Sequence, residues 1–417
     1  MMKKNIVFKV IALSMVLLPL VGTFGQTSNE GLLYVSTATE FSTEADMHNK
    51  TTGEFYNDGE AFIYKDFDNR GIVDFYAETG ITRFIGTSAQ EISGDKLSTF
   101  YNVFFKNSSA AAPFHLSGDM QVFGVADFNQ GVVDVDNYQG SFLFNTDATH
   151  QNTSDNSHVD GSVDKYGNTN FVYPIGDKGY YRFAGIAAPS STSAMYSAKY
   201  FYEDPNTLYN RDSREAHIAL IDAQEYWTIA PLTSEEDLLI TLSWRDVTTP
   251  QAILEAPIAE QLHIARWDEE AGIWIDEGGV VDVDAQTVTT NVNSFGVFTL
   301  ARVASESDDS FELVVHNAIT PNGDGINDYF VIDFDENPNV TKVHVQIYNR
   351  WGVKVFETDN YGTNGDVFDG YSNGRLTINE NERLPTGTYF YVLNYQYNNE
   401  GTFEQNKQAG YLYLNGN

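Results

Sequence analysis

The sequence predicts an all-β chain in three parts: N-terminal β-solenoid-like repeats, a central β-sandwich and a C-terminal Ig-like β-sandwich. Three observations lead there. Short runs rich in Val, Ile, Tyr, Phe and Thr, divided by Gly, Asn and Asp, recur from residue 31 to the end, while helical periodicity is hard to find. The chain supplies 28 Phe, 25 Tyr and 5 Trp among 417 residues, ample apolar bulk for β cores. It has no cysteine, so burial must supply the stability, and disulfides, thiolate metal sites and cysteine nucleophiles are excluded together.

At the N-terminus, Lys3 and Lys4 precede an apolar run over residues 10–24 that is too short for a stable membrane span. Residues 1–25 read as a cleaved signal peptide. Thr23 and Gly25 are small enough for the signal peptidase pockets, which makes Gln26 the mature N-terminus and leaves the mature chain without membrane insertion. The formal charge is −34. Such a surface repels polyanions, and nucleic-acid binding, which needs Lys and Arg to displace counterions from phosphate, is excluded for the chain as a whole.

Residues 27–150 carry a turn pattern that looks internal: Phe55-Tyr-Asn-Asp-Gly59, Phe67-Asp-Asn-Arg-Gly71 and Phe128-Asn-Gln-Gly131. The longest pair aligns residues 66–80 with 127–140 after one deletion. A strand or two followed by a corner cannot bury its own apolar face, so stacked copies are the physical solution. In that solenoid Phe55, Phe67, Phe84, Phe100, Phe128 and Phe144 point inward as aromatic ladders, and Asn and Gly form left-handed corners. An antiparallel sandwich with Asn-Gly hairpins is the alternative.

A polar stretch, residues 146–157, reads as a loop before a second module at 153–303. That module contains Glu225-Tyr-Trp227, a run at 239–244, and a hairpin whose turn is Asp268-Glu-Glu-Ala-Gly272. Alternation puts Leu262, Ile264 and Arg266 on one hairpin face and His263, Ala265 and Trp267 on the other, so neither is cleanly apolar. With a closing strand at 294–300 the whole suits a β-sandwich. Residues 304–310, acidic and nearly free of apolar side chains, form a linker to the final domain at 311–417.

That final domain opens with Asn317-Ala-Ile-Thr-Pro-Asn-Gly-Asp-Gly-Ile-Asn-Asp-Tyr-Phe330. It continues through Ile347-Tyr-Asn-Arg-Trp-Gly352 and closes with Leu384-Pro-Thr-Gly-Thr-Tyr-Phe-Tyr391. The series resembles the gliding motility-associated C-terminal domain, the type B sorting domain of Bacteroidota type IX secretion cargo. The resemblance assigns the motif to Pro321, Asn322, Gly323, Asp324, Gly325, Asn327, Asp328, Tyr348, Asn349, Arg350, Trp351, Gly352, Pro385, Gly387 and Tyr389. Two departures are Phe368-Asp-Gly-Tyr371, where the family usually has Trp, and a C-terminus without a basic residue. The resemblance implies export through periplasm and outer membrane to the cell surface or medium, the type IX translocon as one partner, and a PorP/SprF-type outer-membrane protein as another. The segment 158–183, with its Tyr181-Arg182 pair, loosely resembles a stretch found in other surface proteins of the same secretion group.

No catalytic residue is assigned. Asn322, Asp324 and Asp328 read as an Asx turn; a weak calcium site on the same three is the second reading, lacking the first and the bidentate ligands of a full calcium loop. Gly370-Tyr-Ser-Asn-Gly374 matches a nucleophile elbow in letters only, since strand and helix do not flank Ser372. Asp268, Glu269, Glu270, Asp276 and Glu277 read as solvated turn charges rather than a glycosidase pair. The eight histidines show no metal-gathering spacing. The expected function is therefore non-enzymatic: an adhesin, an adhesin-associated subunit or an envelope scaffold. Its binding face lies in residues 27–302, using exposed Tyr and Trp such as Trp244, Trp267 and Trp274. The alternative is a secreted carbohydrate-binding or carbohydrate-degrading protein.

Overall fold

A computed structural model describes residues 25–233, 235–304, 314–333, 340–350, 352–363, 365–373, 383–399 and 402–416. The expected signal peptide (apart from Gly25), the expected acidic linker after Ala304 and the motif residue Trp351 lie outside the described residues. The regular structure is nearly all β, with 52% strand, and the N-terminal body is a β-solenoid of about 7 turns.

Each full turn gives one strand to each of three faces. The second turn consists of Asp46–Asn49, Glu54–Asn57 and Glu60–Ile63; the third consists of Phe67–Asn69, Ile72–Asp74 and Ile81–Gly86. Parallel pairing sets Met47 against Phe67 on the first face, Phe55 against Val73 on the second and Ile63 against Phe84 on the third. Alternation turns every second side chain inward, where only other side chains are available to satisfy it. The six phenylalanines expected inside are all buried there. Phe84, Phe105 and Phe128 form a ladder with ring centroids 5.7 and 5.5 Å apart.

Two details of the repeat differ from expectation. The corners do not depend on left-handed Asn: between residues 27 and 150 only Ala38, Gln139, Gly94 and Gly131 have positive φ. Instead Asn29, Asn49 and Asn69 turn inward and donate amide to amide along the axis at 2.9 Å per step. Asn29 and Asn69 each also accept the N–H of the glycine two residues on. Gly53 and Gly71 are required by crowding, since a Cβ on Gly71 would meet Gly53 O at 2.2 Å. The second correction concerns the long sequence pair. Phe67 lies on the first face and Phe128 on the third, so the two copies turn different corners and are not equivalent positions.

Parallel stacking runs on beyond Asn145. Within the polar stretch, Thr149–Gln151 is a strand of the third face rather than loop, and Val159 stacks in register on Val133 and beneath Ile175. Pairing then turns antiparallel. On the second face, Val163–Tyr166 pairs with Met195–Phe201, and the same sheet continues through Tyr226–Pro231, Gly296–Val303, Leu262–Asp268 and Ile273–Asp276. One 13-stranded sheet thus belongs to both bodies. A second sheet of Phe171–Val172, Ala184–Ile186, Leu238–Ser243, Thr287–Val292 and Val280–Asp282 completes the sandwich. Phe171 caps the solenoid, its ring 5.0 Å from Phe144.

The mixed faces of the 262–268 strand follow from burial on both sides. Leu262 and Ile264 join the main core, while Ala265 joins a smaller cluster with Ile218, Tyr226 and Trp274. The C-terminal domain is a five-stranded sheet, ordered Ala318–Ile319, Thr402–Leu414, Gly387–Asn399, Val340–Tyr348 and Lys354–Thr358, with a two-stranded sheet of Val314–Val315 and Ile332–Asp333. Its core gathers Ile319, Phe330, Val345, Ile347, Phe368, Tyr391, Leu393 and Leu412.

Candidate functional site

The opening loop of the C-terminal domain is organised by its own carboxylates. Asp328 accepts the N–H groups of Gly323 and Gly325, both at 2.7 Å, and these bonds hold its carboxyl below the usual aspartate range. Asp324 accepts Ile326 N–H at 2.8 Å, and Asn322 accepts Asp324 N–H at 3.0 Å. Gly323, Gly325 and Asn327 all have positive φ, which the alternating bonds require. The oxygens proposed for calcium face backbone donors, the geometry of an Asx turn, and among the described residues no His, Asp and Glu group is placed to hold a metal ion. Pro321 is buried beneath the loop; Ile326 and Tyr329 stand out, 67 % and 46 % exposed.

The second motif segment turns the other way. Asn349 accepts Val353 N–H through its side chain at 3.0 Å, closing the turn that carries Arg350 and Gly352. Gly352 has φ +75° and abuts the central sandwich: a Cβ there would come 2.2 Å from Ala187 Cβ. In the late arm, Tyr389 donates to Pro385 O at 2.8 Å across the bend that contains Gly387.

The same sheet is covered on both faces. Tyr391 and Leu393 point into the domain's own core, while Tyr348, Phe390 and Val392 belong to the core cluster of the preceding modules. Tyr348 O–H reaches Asn291 Oδ1 at 3.3 Å, and Asn291 donates to Gln346 Oε1 at 3.4 Å. Lys407 bonds Asn291 O and lies 3.6 Å from Glu277. Burial there pulls the Lys407 ammonium below the ordinary lysine range. A cavity of about 330 Å³ remains at the seam, lined by Phe171, Ile186, Leu239, Arg350, Phe390 and Tyr411.

Two clusters in the central sandwich escaped the sequence reading. Arg182, of the Tyr-Arg pair, and Glu225, of Glu225-Tyr-Trp, form a bidentate ion pair at 2.9 and 3.1 Å with no solvent exposure. Tyr200 O–H adds 2.7 Å to Glu225, Ser243 O accepts Arg182 at 2.8 Å, and Trp227 Nε1 donates to Arg182 O. Asp276 and Glu277 are not solvated turn charges. Asp276 meets His217 at 3.0 Å and His263 at 2.9 Å, and these contacts outweigh burial and hold its carboxyl low, while Glu277 accepts Arg266 Nε at 2.7 Å. Their spacing along the chain gave no sign, because two strands and a loop bring the histidines together.

Ser372 is buried and donates to Val355 O at 2.7 Å, which is no geometry for a nucleophile. The tryptophans offered as a binding face are not one: Trp244 and Trp274 are buried, and Trp267 packs edge-on against Trp274.

The architecture is that of a solenoid and sandwich followed by a small β domain seated on them. Residues 313–414 match the family described as CHU_C Type IX secretion signal domain, which marks the chain as type IX secretion cargo with a C-terminal sorting domain. Export to the cell surface or extracellular space follows. No curated protein matches the chain.

Proposed function

We propose that the exported chain is a non-enzymatic binding protein, an adhesin, adhesin-associated subunit or envelope scaffold, that meets its target through the second face of the solenoid. One observation supports this. Outward positions on successive rungs of that face hold two columns, Leu32, Glu54 and Ile72 in one and Tyr34, Tyr56 and Asp74 in the other. Leu32, Tyr34, Ile72 and Tyr76 are all exposed, at 65, 46, 48 and 64 %. Tyr76 stacks on Tyr56 at 4.1 Å, and Tyr34 donates to Asp58 at 2.9 Å, so the patch is rigid before anything binds. Contiguous apolar surface of this kind marks interaction sites. A PorP/SprF-type outer-membrane protein is the proposed holder of the sorting domain.

Tyr34→Ser with Tyr76→Ser, made in the full chain, should abolish binding of the purified protein to envelopes or host surfaces while secretion continues. Undiminished binding by the pair would refute the assignment of this face. A second reading, a carbohydrate-binding protein, is favoured by the mixture on the same patch of ring faces with Glu54 and Asp74, acceptors suited to sugar hydroxyls. Retention of neutral glycans on an array, lost in the same double variant, would select it; reducing-sugar release would extend it to cleavage.

A further inference from the structure

Of the three motif segments in the sorting domain, two have their aromatic side chains, among the described residues, buried inside the molecule. The turn around Gly352 is pressed against Ala187 of the sandwich so closely that no side chain fits at 352. Tyr348 is 3 % exposed and bonded to Asn291, and in the late arm Tyr389 and Phe390 are 5 and 6 % exposed. The opening loop is presented to solvent over its whole length, with Asn322 to Asn327 all exposed, whereas among the described residues the other two segments expose only Arg350 in one and Pro385, Thr386 and Thr388 in the other. Its conformation is fixed by five bonds: Asp328 to Gly323 and Gly325, Asp324 to Ile326 and Asn322, and Asn322 to Asp324. A loop already ordered gives up little conformational entropy when a partner closes on it. This one spends its order on holding Ile326 and Tyr329 outward, three residues apart.

We propose that, in the folded chain, this loop is what the export machinery reads, and that the Asn349 to Gly352 turn serves to seat the domain on its cargo. The partner's site has an apolar socket for Ile326 and Tyr329 and a rim of N–H donors or cations facing Asp324 and Asp328. That chemistry complements the loop and suits a partner meeting a chain of formal charge −34. The proposal rests on residues 313–414 being the sorting domain.

The test uses the full chain in a cell that secretes it. Three variants are compared: Ile326→Asp with Tyr329→Ser, Ala187→Arg to unseat the domain, and deletion of residues 313–417. The loop variant should fall about tenfold or more in the surface and medium fractions, as loss of a central apolar anchor does in protein interfaces. Ala187→Arg should still be exported. Normal export of the deletion overturns the sorting reading itself; blocked export of the deletion with normal export of the loop variant overturns only the loop assignment. Because the loop variant could fail through misfolding, a photo-crosslinking amino acid is placed at 326 and at 187 in otherwise wild-type chain. Position 326 should trap an envelope protein whose removal stops export, and position 187 should trap the chain's own sorting domain. Absence of such a partner at 326, with export intact, refutes the proposal.

Discussion

Arg182→Met tests how the central sandwich is held. Arg182 donates to Glu225 twice, to Ser243 Oγ and O and to Thr249 Oγ1, over distances of 2.8 to 3.3 Å. Removing the guanidinium leaves the Glu225 carboxylate buried among Tyr200, Trp227 and Thr249, next to Asp222, which burial and Glu225 already push well above the aspartate range. Breaking one side of a buried pair costs about 3–5 kcal/mol, and Glu225→Leu should cost as much. Replacing both removes the unpaired charge and leaves the Ser243 carbonyl and the neighbouring hydroxyls short of partners, at about 1–3 kcal/mol each. The double variant should therefore cost about as much as either single, about 3–5 kcal/mol, far below their sum. Hydrogen exchange over residues 226–231, compared across the four proteins, reads the local stability without assuming that the whole chain unfolds in one step. Additive single costs, or singles below about 1 kcal/mol, would refute the account of the pair as mutually compensating.

Asn49→Ala should destabilise the first turns by about 3 kcal/mol, one for each bond lost to Asn29, Asn69 and Ile72 O, measured by exchange over residues 46–74. Gly71→Ala should cost roughly 1–3 kcal/mol through collision with Gly53 O at 2.2 Å, whereas Gly31→Ala, with open space around it, should be nearly neutral by the same exchange measurement. Burial, and then Asp177, Asp134 and Asp136, push the Asp160 carboxyl up to about 7 from 3.8. Its folded form keeps a proton that the unfolded chain releases, so its contribution is complete below pH 3.8 and is lost as pH rises to about 7. Asp160→Asn should thus gain on the wild type as pH rises from 3.8 to about 7, by on the order of 1 kcal/mol after solvent screening; a gap that does not change with pH would refute it.

The solenoid was legible because its signal is local. Inward Phe at every second strand position survives any error in aligning the repeats, which is why six phenylalanines were placed correctly while the copies at 67 and 128 were matched across different faces. The asparagine ladder was missed because each amide bonds a residue about twenty positions away, and only the rung stacking makes them neighbours. The opening loop's Asx turn was readable from alternation of Asn, Asp and Gly. The seat of the sorting domain was not: Tyr389, Phe390 and Tyr391 form an unbroken apolar run, the mark of a strand covered on both sides, yet the sequence does not say what covers the second side. Arg182 with Glu225, and Asp276 with two histidines, are long-range pairings of the same kind.

Because a single sheet passes from the solenoid's second face into the sandwich, there is no swivel between them. A pull on the first strand, Gln26–Asn29, would open its parallel hydrogen bonds to the next rung before those deeper in the stack, as a zipper yields.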